Sequence, residues 1–430
     1  MTFEEAKDIL LKKQIYIKKD GLDRVYRVLE KLGNPQDSFK AVHVTGTNGK
    51  GSVCAAMESV LKCSGYKTGF FSSPHLVSLR ERIRFCGQMI EKAEFVELFK
   101  RVFEVSDKIS FFEILTCMAF LYFKEKKVDI AFIEVGIGGK HDTTNVLPPG
   151  ALCIISSIGI DHTKYLGADT ESIAAQKAGI IKKGTVCLAY SADENVRCVI
   201  REEAQKAEGE VIFIEPVFKI EDYDWNRNLM LLKNLKDDKK IEYGLIGENQ
   251  AINASIAYEG LKILASKSFK NINNASISAG FKSIYLEGRF QIIKNKKNTF
   301  ILDGSHNSEA VESFTGTFQK SPFVSQDTVF VIGILDDKNY LNMLKTLYPF
   351  LRKAIFTKTA SARTIEPCVL ADEIAKLNPE IETEVHDDFN AAFLSATKSK
   401  NVIIVGSFYL AGAALELIKA QKFKSVEVRK

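Results

Sequence analysis

The most constraining feature of the sequence is a glycine-rich turn between a strand-like and a helix-like segment. Residues 41–45 form an apolar run with β-branched side chains; three glycines, Lys50 and Ser52 follow, and a helical pattern occupies residues 53–64. Glycines let the backbone turn tightly, while a helix N-terminus and a lysine supply positive charge. The stretch predicts a phosphate-binding turn, although Gly51 stands where the common P-loop has Ser or Thr.

Length and composition indicate two globular domains. The 430 residues exceed the roughly 250–300 residues at which a single core stops growing. Alternating strand and helix patterns run to about residue 290 and then restart, which predicts an N-terminal domain over 1–290 and a C-terminal domain over 291–430. The net charge of +5 is slight, and aromatic residues are not interleaved with Lys/Arg clusters, so we expect no nucleic-acid partner.

The cysteines and the apolar runs indicate the cellular compartment of the protein. The eight cysteines are scattered and form no C-x-x-C pair, which favours reduced thiols in a reducing compartment. The first residues are charged and contain no signal-peptide pattern. The strongest apolar run, residues 111–123, contains Glu113 and is shorter than the roughly 20 residues that a membrane helix needs. We therefore expect a soluble, cytoplasmic protein with no membrane contact.

Polar residues follow two strand-like segments of the N-terminal half. Glu134 lies near the end of an apolar run over 128–136, and Asp161 and His162 follow a second run over 152–158. Open α/β sheets bind ligands at the carboxyl ends of their strands, next to the predicted phosphate turn. Each residue also has an ordinary interpretation, as a salt-bridged carboxylate or a structural histidine. Together they predict a metal site, with magnesium the expected ion although a histidine ligand is unusual for it.

Two further segments remain open from the residues alone. The Ser72-Ser73-Pro74 sequence is typical of a turn, and the arginine-rich segment 78–84 fits either a solvated face or a site for an anionic substrate. Lys177 sits in a helical pattern over 170–180 and by composition is an ordinary surface lysine.

The element pattern predicts an α/β protein with mostly parallel, helix-covered sheets in both domains. Residues 1–33 are predicted to be helical. Residues 216–247 are predicted to form either short antiparallel strands or an irregular segment outside the main sheet. In the C-terminal domain we expect four strands, at about 299–303, 328–334, 353–358 and 402–406.

Taken together, the motifs resemble folylpolyglutamate synthase/dihydrofolate synthase, which belongs to the Mur-ligase-like ATP-dependent amide ligases. The resemblance runs nearly end to end and explains Gly51, because Lys-Gly-Ser is this family's own spacing. It implies a P-loop N-terminal domain like the Mur ligase central domain and a smaller Rossmann-like C-terminal domain. The matching motifs are 32–35, 43–52, 73–76, 81–83, 134–139, 142–145, 157–162, 177–180, 288–289 and 303–307.

The resemblance also implies roles for individual residues. Residues implied to bind ATP are Thr47, Asn48, Gly49, Lys50, Gly51, Ser52, Asn253, Arg289 and Asp303. Those implied to bind magnesium are Ser73, Glu134 and His162, and those on the substrate side are His75, Arg82 and Asp142. Catalytic roles are implied for Lys50, for Lys177 as the lysine that the family carboxylates at N6, and for His306 close to the reacting carboxylate. A monovalent cation beside Mg²⁺ is compatible with the same pattern.

The implied reaction is ATP-dependent ligation of L-glutamate to dihydropteroate or folate through an acyl phosphate, by a monomeric enzyme. Gln176, Asn249 and His141 depart from the family pattern and affect fine positioning. A Mur-type ligase for another amino-acid substrate is the nearest alternative, and a P-loop NTPase switch or binding module is a more distant one. His75 after Ser-Pro favours the bifunctional bacterial form over a single activity.

Overall fold

A computed structural model of the chain describes residues 1–13, 21–106 and 108–420. The chain divides into two compact units. The N-terminal unit comprises Met1–Lys219, Asn234–Ile241 and Ile252–Ile284, and the C-terminal unit comprises Ile220–Lys233, Glu242–Ala251 and the chain from Tyr285 onward. The domain boundary at residue 290 stays a prediction.

The N-terminal unit is built on an eight-stranded sheet. Its strands are β1 Lys40–Thr45, β2 Thr68–Phe71, β3 Ile83–Phe85, β4 Gln88–Met89, β5 Ile130–Glu134, β6 Leu152–Ile155, β7 Val186–Ala189 and β8 Glu210–Phe213. The spatial order is β4-β3-β2-β5-β1-β6-β7-β8. All neighbours from β2 to β8 are parallel, and β3 and β4 add an antiparallel edge. This register places the carboxyl ends of β1, β5 and β6 side by side.

Helices cover this sheet because its central strands are apolar on both faces. Every residue of β5 and β6 is buried. Helices α1, α2, α4 and α5 share one buried cluster with Ala131 and Ile133, while α7 and α8 pack beside β6 and β7. The helices are α1 Phe3–Lys12, α2 Asp23–Lys31, α3 Lys50–Cys63, α4 Lys92–Val105, α5 Phe111–Lys126, α6 Thr163–Leu166, α7 Thr170–Ala178, α8 Glu194–Lys206, α9 Gln250–Lys267 and α10 Asn274–Ser283.

The polar segment 216–247 forms strands, as one of the two sequence interpretations expected. Three strands, β9 Phe218–Asp224, β10 Leu229–Asn234 and β11 Lys240–Tyr243, form a separate sheet of order β11-β10-β9.

The C-terminal unit contains a six-stranded sheet of order β12-β13-β17-β14-β15-β16, in which only the β12–β13 pair is antiparallel. Its strands are β12 Gln291–Lys294, β13 Thr299–Leu302, β14 Thr328–Ile332, β15 Lys353–Thr357, β16 Glu382–His386 and β17 Asn401–Val405. Its helices are α11 Ser308–Gln319, α12 Tyr340–Leu347, α13 Pro367–Leu377, α14 Phe389–Ala396 and α15 Phe408–Ala420. The predicted two-part α/β architecture with mostly parallel sheets is confirmed.

The structure corrects the sequence-based elements at the sheet edges. The pattern gave four strands for the C-terminal sheet, whereas β12 and β16 lie at its two edges; β16 reads Glu-Thr-Glu-Val-His and lacks the apolar run of a buried strand. Segment 78–84 forms a 3₁₀ turn over Leu79–Arg82 and then enters β3, and it is not a simple solvated face because Arg82 and Ile83 are buried. The helix prediction for residues 14–20 lies outside the described residues.

The apolar run noted in the sequence is an internal helix. Helix α5 buries twelve of its sixteen residues, including Glu113, whose carboxylate pairs with Arg24. In the described part of the chain, no helix combines the length and apolar character needed to cross a membrane.

Candidate functional site

The predicted phosphate turn joins β1 directly to α3. Gly46 and Gly49 have φ values of 153° and 83°, which side-chain-bearing residues rarely adopt. A Cβ at Gly49 would lie 2.3 Å from Oδ1 of Asn253, so the predicted ATP-binding Asn253 is packed against the turn. Lys50 is the first residue of α3, and its Nζ donates to the backbone oxygens of Gly46 (2.8 Å) and Thr47 (3.2 Å). The ammonium group is therefore folded over the turn.

The segment after β6 holds the turn in place. The backbone N–H of Thr47 donates to the Ser157 carbonyl at 2.9 Å, and that of Asn48 donates to the Ser157 hydroxyl at 2.9 Å. Ser156 Oγ donates to the Asn48 carbonyl at 2.7 Å, and the Thr47 hydroxyl bonds both the N–H and the carbonyl of Gly159 at 3.0 Å. The backbone N–H groups of Thr47 and Asn48 are used to hold the turn, so any nucleotide contact of these two residues would use other atoms.

One pocket collects several of the predicted residues at the carboxyl ends of the strands. It has about 250 Å³ of space between its walls, including space open to solvent, and is lined by the turn, by the glycine-rich segment 135–138 and by Lys50, His162 and Lys177. The first intrahelical bond of α3 runs from Val53 to Gly49, so the positive end of the helix dipole lies at this pocket. Two lysines and a helix N-terminus at one concave site suit a polyphosphate.

Lys177 is buried, which contradicts the interpretation of it as a surface lysine. It lies in the last turn of α7, and its backbone approaches the glycine-rich segment closely. A Cβ at Gly139 would come within 2.8 Å of the Lys177 carbonyl, and the N–H of Lys140 donates to the Gln176 carbonyl at 2.8 Å. Glycine at position 139 permits this packing, and Lys177 lines the pocket.

The structure brings two of the three predicted metal ligands into direct contact. Glu134 is buried at the end of β5, and its Oε2 accepts from the backbone N–H of Ser73 at 3.1 Å. His162 precedes the short helix α6 with φ 52°, and its Nε2 lies 4.0 Å from Oδ2 of Asp161. Over the described ranges, no three His, Cys, Asp or Glu side chains form a metal-binding group. A carboxylate and a hydroxyl fit a hard cation such as Mg²⁺, and His162 is the less typical donor.

The loop after β2 is held by side chains. Glu81 accepts the backbone N–H groups of Leu76, Val77 and Ser78 at 2.7, 2.9 and 2.5 Å. Glu81 had no assigned role in the sequence, yet its three bonds fix the course of this loop.

The two predicted substrate-side residues of this loop, His75 and Arg82, contact each other. Arg82 Nε donates to His75 Nδ1 at 2.9 Å, and the guanidinium lies over the Phe111 ring with 5.2 Å to its centroid. Burial, followed by the charge of Arg82, lowers the pKa of His75 to about 3. The imidazole is therefore neutral, and because Nδ1 accepts, Nε2 carries the proton and is a donor.

Asp142 is occupied by the loop that follows β5. It accepts the N–H of Ile137 at 3.0 Å and both the N–H and the hydroxyl of Thr144, at 3.0 and 2.6 Å. Burial raises the pKa of this carboxyl, and these hydrogen bonds oppose the rise. The Thr144 hydroxyl also bonds Nε2 of His43 at 2.8 Å. The Asp-x-Thr spacing is a local capping signal that could have indicated this bracing role, while substrate binding by Asp142 stays a prediction.

In the C-terminal unit, the three predicted residues Arg289, Asp303 and His306 lie close together. Asp303 follows β13 and accepts the backbone N–H groups of Phe290 (2.7 Å) and Ser305 (2.8 Å). The pKa of Asp303 is raised by burial, against the opposing effects of Ser305 and the Arg289 charge. Phe408 connects the other two residues: the Arg289 guanidinium lies 4.6 Å from its ring centroid, and the His306 ring lies 5.5 Å from it.

Comparison with known proteins gives the family. Residues 44–259 match the Mur ligase middle domain, and residues 288–408 match the Mur ligase glutamate ligase domain. A dihydrofolate synthase/folylpolyglutamate synthase of Bacillus subtilis is 32% identical over 405 residues, covering 91% of this chain and 93% of the relative. The chain belongs to the folylpolyglutamate synthase/dihydrofolate synthase group of the Mur ligase family. The resemblance stated from the motifs is thereby confirmed.

Solved structures of this family match both units. The Mycobacterium tuberculosis folylpolyglutamate synthase complexed with ADP superposes with a TM-score of 0.87 at 28% identity, covering 96% of this chain and 98% of that one. Escherichia coli FolC in complex with DHPP and ADP gives 0.85 at 26% identity, covering 98% and 99%. A bifunctional family member with Mn, AMPPNP and L-glutamate bound gives 0.81 at 26% identity, covering 97% and 98%.

Proposed function

We propose that this protein is an ATP-dependent amide ligase that joins L-glutamate to the carboxylate of dihydropteroate, of a reduced folate, or of both. The observation that carries the proposal is the pocket at the carboxyl ends of β1, β5 and β6, where Lys50, Lys177 and the start of α3 converge. Relatives with ADP, AMPPNP, DHPP and L-glutamate bound support the same substrate set.

The proposed reaction begins with attack of the acceptor carboxylate on the γ-phosphorus of ATP, which gives an acyl phosphate and ADP. The amine of glutamate then attacks the acyl carbon, and phosphate leaves as the amide forms. Lys50 and the N-terminus of α3 oppose the charge on the phosphate oxygens, and preorganised positive charge of this kind is a major source of rate enhancement. The braced turn keeps these groups in place without reorganisation during the reaction.

A divalent cation would be held by Ser73, Glu134 and His162, with Lys177 beside the same pocket. When bound, the ion would neutralise phosphate charge and align the reacting oxygens. The fit rests on the buried carboxylate of Glu134 at a strand end, 3.1 Å from the Ser73 backbone nitrogen. Carboxylation of Lys177 at N6 and a monovalent cation remain part of the proposal, and a mass measurement of the intact protein at high bicarbonate tests the modification.

The loop after β2 is proposed to bind the pterin side of the acceptor. His75 presents an N–H donor at Nε2 and keeps its neutral form through the physiological range, because its pKa is about 3. The hydrogen bond from Arg82 Nε to His75 Nδ1 fixes which ring nitrogen carries the proton. Roles of Asn253, Arg289 and Asp303 in ATP binding, and of His306 near the reacting carboxylate, are proposed on the same family pattern.

The decisive experiment measures ADP release with dihydropteroate or tetrahydrofolate as acceptor, with and without L-glutamate, and identifies the product by mass. We expect release that requires both acceptor and glutamate. Amide formation with another amino acid in place of glutamate would favour the Mur-type alternative, and ADP release that ignores both substrates would favour an NTPase. Product from both acceptors identifies the bifunctional form.

We also propose a monomer in the cytoplasm. All eight cysteines are free thiols, which is typical of a reducing compartment. Sedimentation at working concentration checks the monomer.

A further inference from the structure

Three segments of the C-terminal unit meet at one edge of its six-stranded sheet. Strands β13 and β17 are parallel neighbours, so the segments that follow them lie side by side. The segment before β12 joins them, because β12 begins opposite the end of β13 in an antiparallel pair. Each segment contributes one side chain: Arg289 before β12, His306 after β13 and Phe408 after β17. Residues that are distant in the sequence are therefore neighbours at this edge.

Phe408 is placed by the start of helix α15, of which it is the first residue. The hydroxyl of Ser407, which is buried, accepts the backbone N–H of Leu410 at 3.1 Å and caps the helix. This cap fixes the backbone from which the Phe408 ring extends.

The Phe408 ring contacts both of the predicted site residues beside it. The guanidinium carbon of Arg289 lies 4.6 Å from the ring centroid, and the His306 ring centroid lies 5.5 Å away at an interplanar angle of 51°. A planar guanidinium that lies over an aromatic face keeps its N–H groups around its edge, where they can bind an anion. A single apolar ring thus sets the orientation of a cation and of an imidazole without using their hydrogen-bonding groups.

Gly304 provides the space that this ring occupies. Its φ lies outside the left-handed region, so the backbone conformation alone does not require glycine. A Cβ at this position would lie 2.5, 2.6 and 2.9 Å from the Cε1, Cδ1 and Cζ atoms of Phe408. Glycine at position 304 is therefore matched to the ring at position 408.

The backbone of Gly304 also connects the segments that carry Arg289 and His306. Its N–H donates to the carbonyl of Gly288 at 2.9 Å, and its carbonyl lies 3.1 Å from Nδ1 of His306. A carbonyl oxygen only accepts, so Nδ1 of His306 is the donor and carries the proton. Displacement of Gly304 against the ring would therefore move both side chains.

The turn around Arg289 is held in a conformation that its sequence does not favour. Phe290 has a φ of 40°, which bulky residues rarely adopt, and its N–H donates to Oδ2 of Asp303 at 2.7 Å. Such conformations persist only where surrounding contacts impose them, and they cluster at functional sites. The contacts at this sheet edge thus fix the position of Arg289 at a cost in backbone strain.

We infer that Phe408 is a positioning residue of the ligase reaction. Its ring holds the Arg289 guanidinium and the His306 imidazole in one fixed relation, and Gly304 is matched to that ring. The inference rests on the function proposed above, in which Arg289 binds ATP and His306 lies near the reacting carboxylate. The role of Phe408 is indirect, because it acts through these two neighbours.

Phe408→Val removes the ring and keeps a small apolar side chain at the start of α15. We expect kcat/KM for ATP in glutamate-dependent ADP release to fall by about 10–100-fold, because a misplacement of about 1 Å can cost about 100-fold. Phe389→Val is the matched control, since Phe389 is also the first residue of a helix in this unit and its ring packs on Phe393 at 6.0 Å. Near-normal kcat/KM in Phe408→Val, or an equal loss in Phe389→Val, would overturn the inference.

A double-mutant cycle separates positioning from a general effect on the fold. If the ring acts through Arg289, Phe408→Val should lower kcat/KM at least about threefold less in an Arg289→Ala background than in the wild type, because contacting residues are not additive. Equal effects in both backgrounds would mean that the ring does not act through Arg289, and the positioning role would be wrong.

Gly304→Ala gives the complementary measurement. Alone, it should lower kcat/KM by about 10–100-fold, because the added Cβ displaces the ring and with it Arg289 and His306. In Phe408→Val the three ring atoms that the Cβ would meet are absent, so the same Gly304→Ala change should cost less than about twofold there. An equal loss in both backgrounds contradicts the match between Gly304 and the ring.

Failure of this inference and failure of the proposed ligation give different results. Glutamylated product from the wild type together with normal activity in Phe408→Val overturns the role of Phe408 alone. A wild type that forms no product contradicts the ligation itself, and AMPPNP titration of the same variants then decides, with equal affinity in the wild type and Phe408→Val counting against the inference. If urea unfolding shows that Phe408→Val does not fold, Phe408→Leu, which keeps more of the apolar volume, takes its place.

Discussion

The phosphate turn and the loop after β2 both carry predicted substrate contacts, but different interactions hold them. The turn is fixed largely by backbone geometry: two glycines with positive φ and hydrogen bonds from Thr47 and Asn48 to the segment after β6. The loop is fixed by two side chains, because Glu81 accepts three backbone N–H groups and Arg82 is bonded to His75.

This difference predicts how each region responds to mutation. In the turn, a charged side chain such as Lys50 can be removed without loss of shape, whereas a glycine cannot be replaced. In the loop, side chains determine the shape, so a conservative substitution of Glu81 should alter acceptor binding and leave nucleotide binding unchanged. Four substitutions test this contrast.

Lys50→Ala should have the largest effect. Removing the only full charge on the turn should lower kcat by about 10²–10³-fold, the range found for loss of one preorganised electrostatic group. The fold should persist, because the turn keeps its backbone bonds. The measurement is glutamate-dependent ADP release together with circular dichroism. Lys62→Ala, an exposed lysine of the same helix, is the control, and near-normal activity in Lys50→Ala would refute the assigned site.

Gly46→Ala should destabilise the protein as well as impair nucleotide binding. The added Cβ would lie 2.0 Å from Ser156 Oγ and 3.0 Å from the Ser157 nitrogen, at a φ of 153°. We expect a loss of unfolding free energy of about 1–3 kcal/mol from backbone strain, plus the cost of displacing Ser156.

Gly65→Ala is the matched control for this substitution, because Gly65 also has positive φ but nothing lies within 4 Å of its added Cβ. Urea unfolding and ADP titration compare the two. Equal destabilisation of both variants would show that the close contact with Ser156 contributes little to the loss of unfolding free energy. It would also contradict the view that close backbone packing holds the turn.

The sequence could predict the turn because its information is local. Three glycines, Lys50 and Ser52 between a strand and a helix are sufficient, and the rule on carboxyl strand ends then places Glu134 and His162 near the turn. Roles for Arg289, Asp303 and His306 came only from the family resemblance, and in the C-terminal unit Arg289 and His306 both lie against the ring of Phe408.

Other features depend on tertiary contacts that no local pattern contains. Lys177 is buried because α7 packs against the glycine-rich segment after β5, whereas its own neighbours suggest an exposed position. The chain from His43 through Thr144 to Asp142 joins β1 to a distant loop, and each residue alone is unremarkable. Strand β16 is charged because it lies at a sheet edge, so an apolar pattern could not reveal it.

Glu81→Gln should have a smaller and more selective effect. The amide replaces one carboxylate oxygen with a donor, so at least one of the N–H groups of Leu76, Val77 and Ser78 loses its acceptor, at a cost of about 1–3 kcal/mol. We expect the KM for the pteroate or folate acceptor to rise by about 5–100-fold while the KM for ATP is unchanged. Glu97→Gln, an exposed glutamate of helix α4, is the control. Parallel rises in both KM values would mean that turn and loop are not independently held.

On stability at neutral pH, His75→Asn should have the smallest effect of the four substitutions, and its effect appears in the pH dependence of stability. The folded-state pKa of His75 is about 3, below the ordinary value of 6.5. Between pH 3 and pH 6.5, the imidazole is therefore protonated in the unfolded chain and neutral in the folded chain. Stability from this residue is complete above pH 6.5 and falls as the pH drops, by about 1.4 kcal/mol per pH unit. His43 has the same low pKa and contributes a similar slope.

Asn can still accept from Arg82 through its amide oxygen but cannot titrate. The His75→Asn variant should therefore lose about half of the combined pH slope of stability between pH 6 and 4.5, as measured by urea unfolding. An unchanged slope would mean that His75 takes up a proton in the folded loop, and that the loop is more open to water than its contact with Arg82 implies.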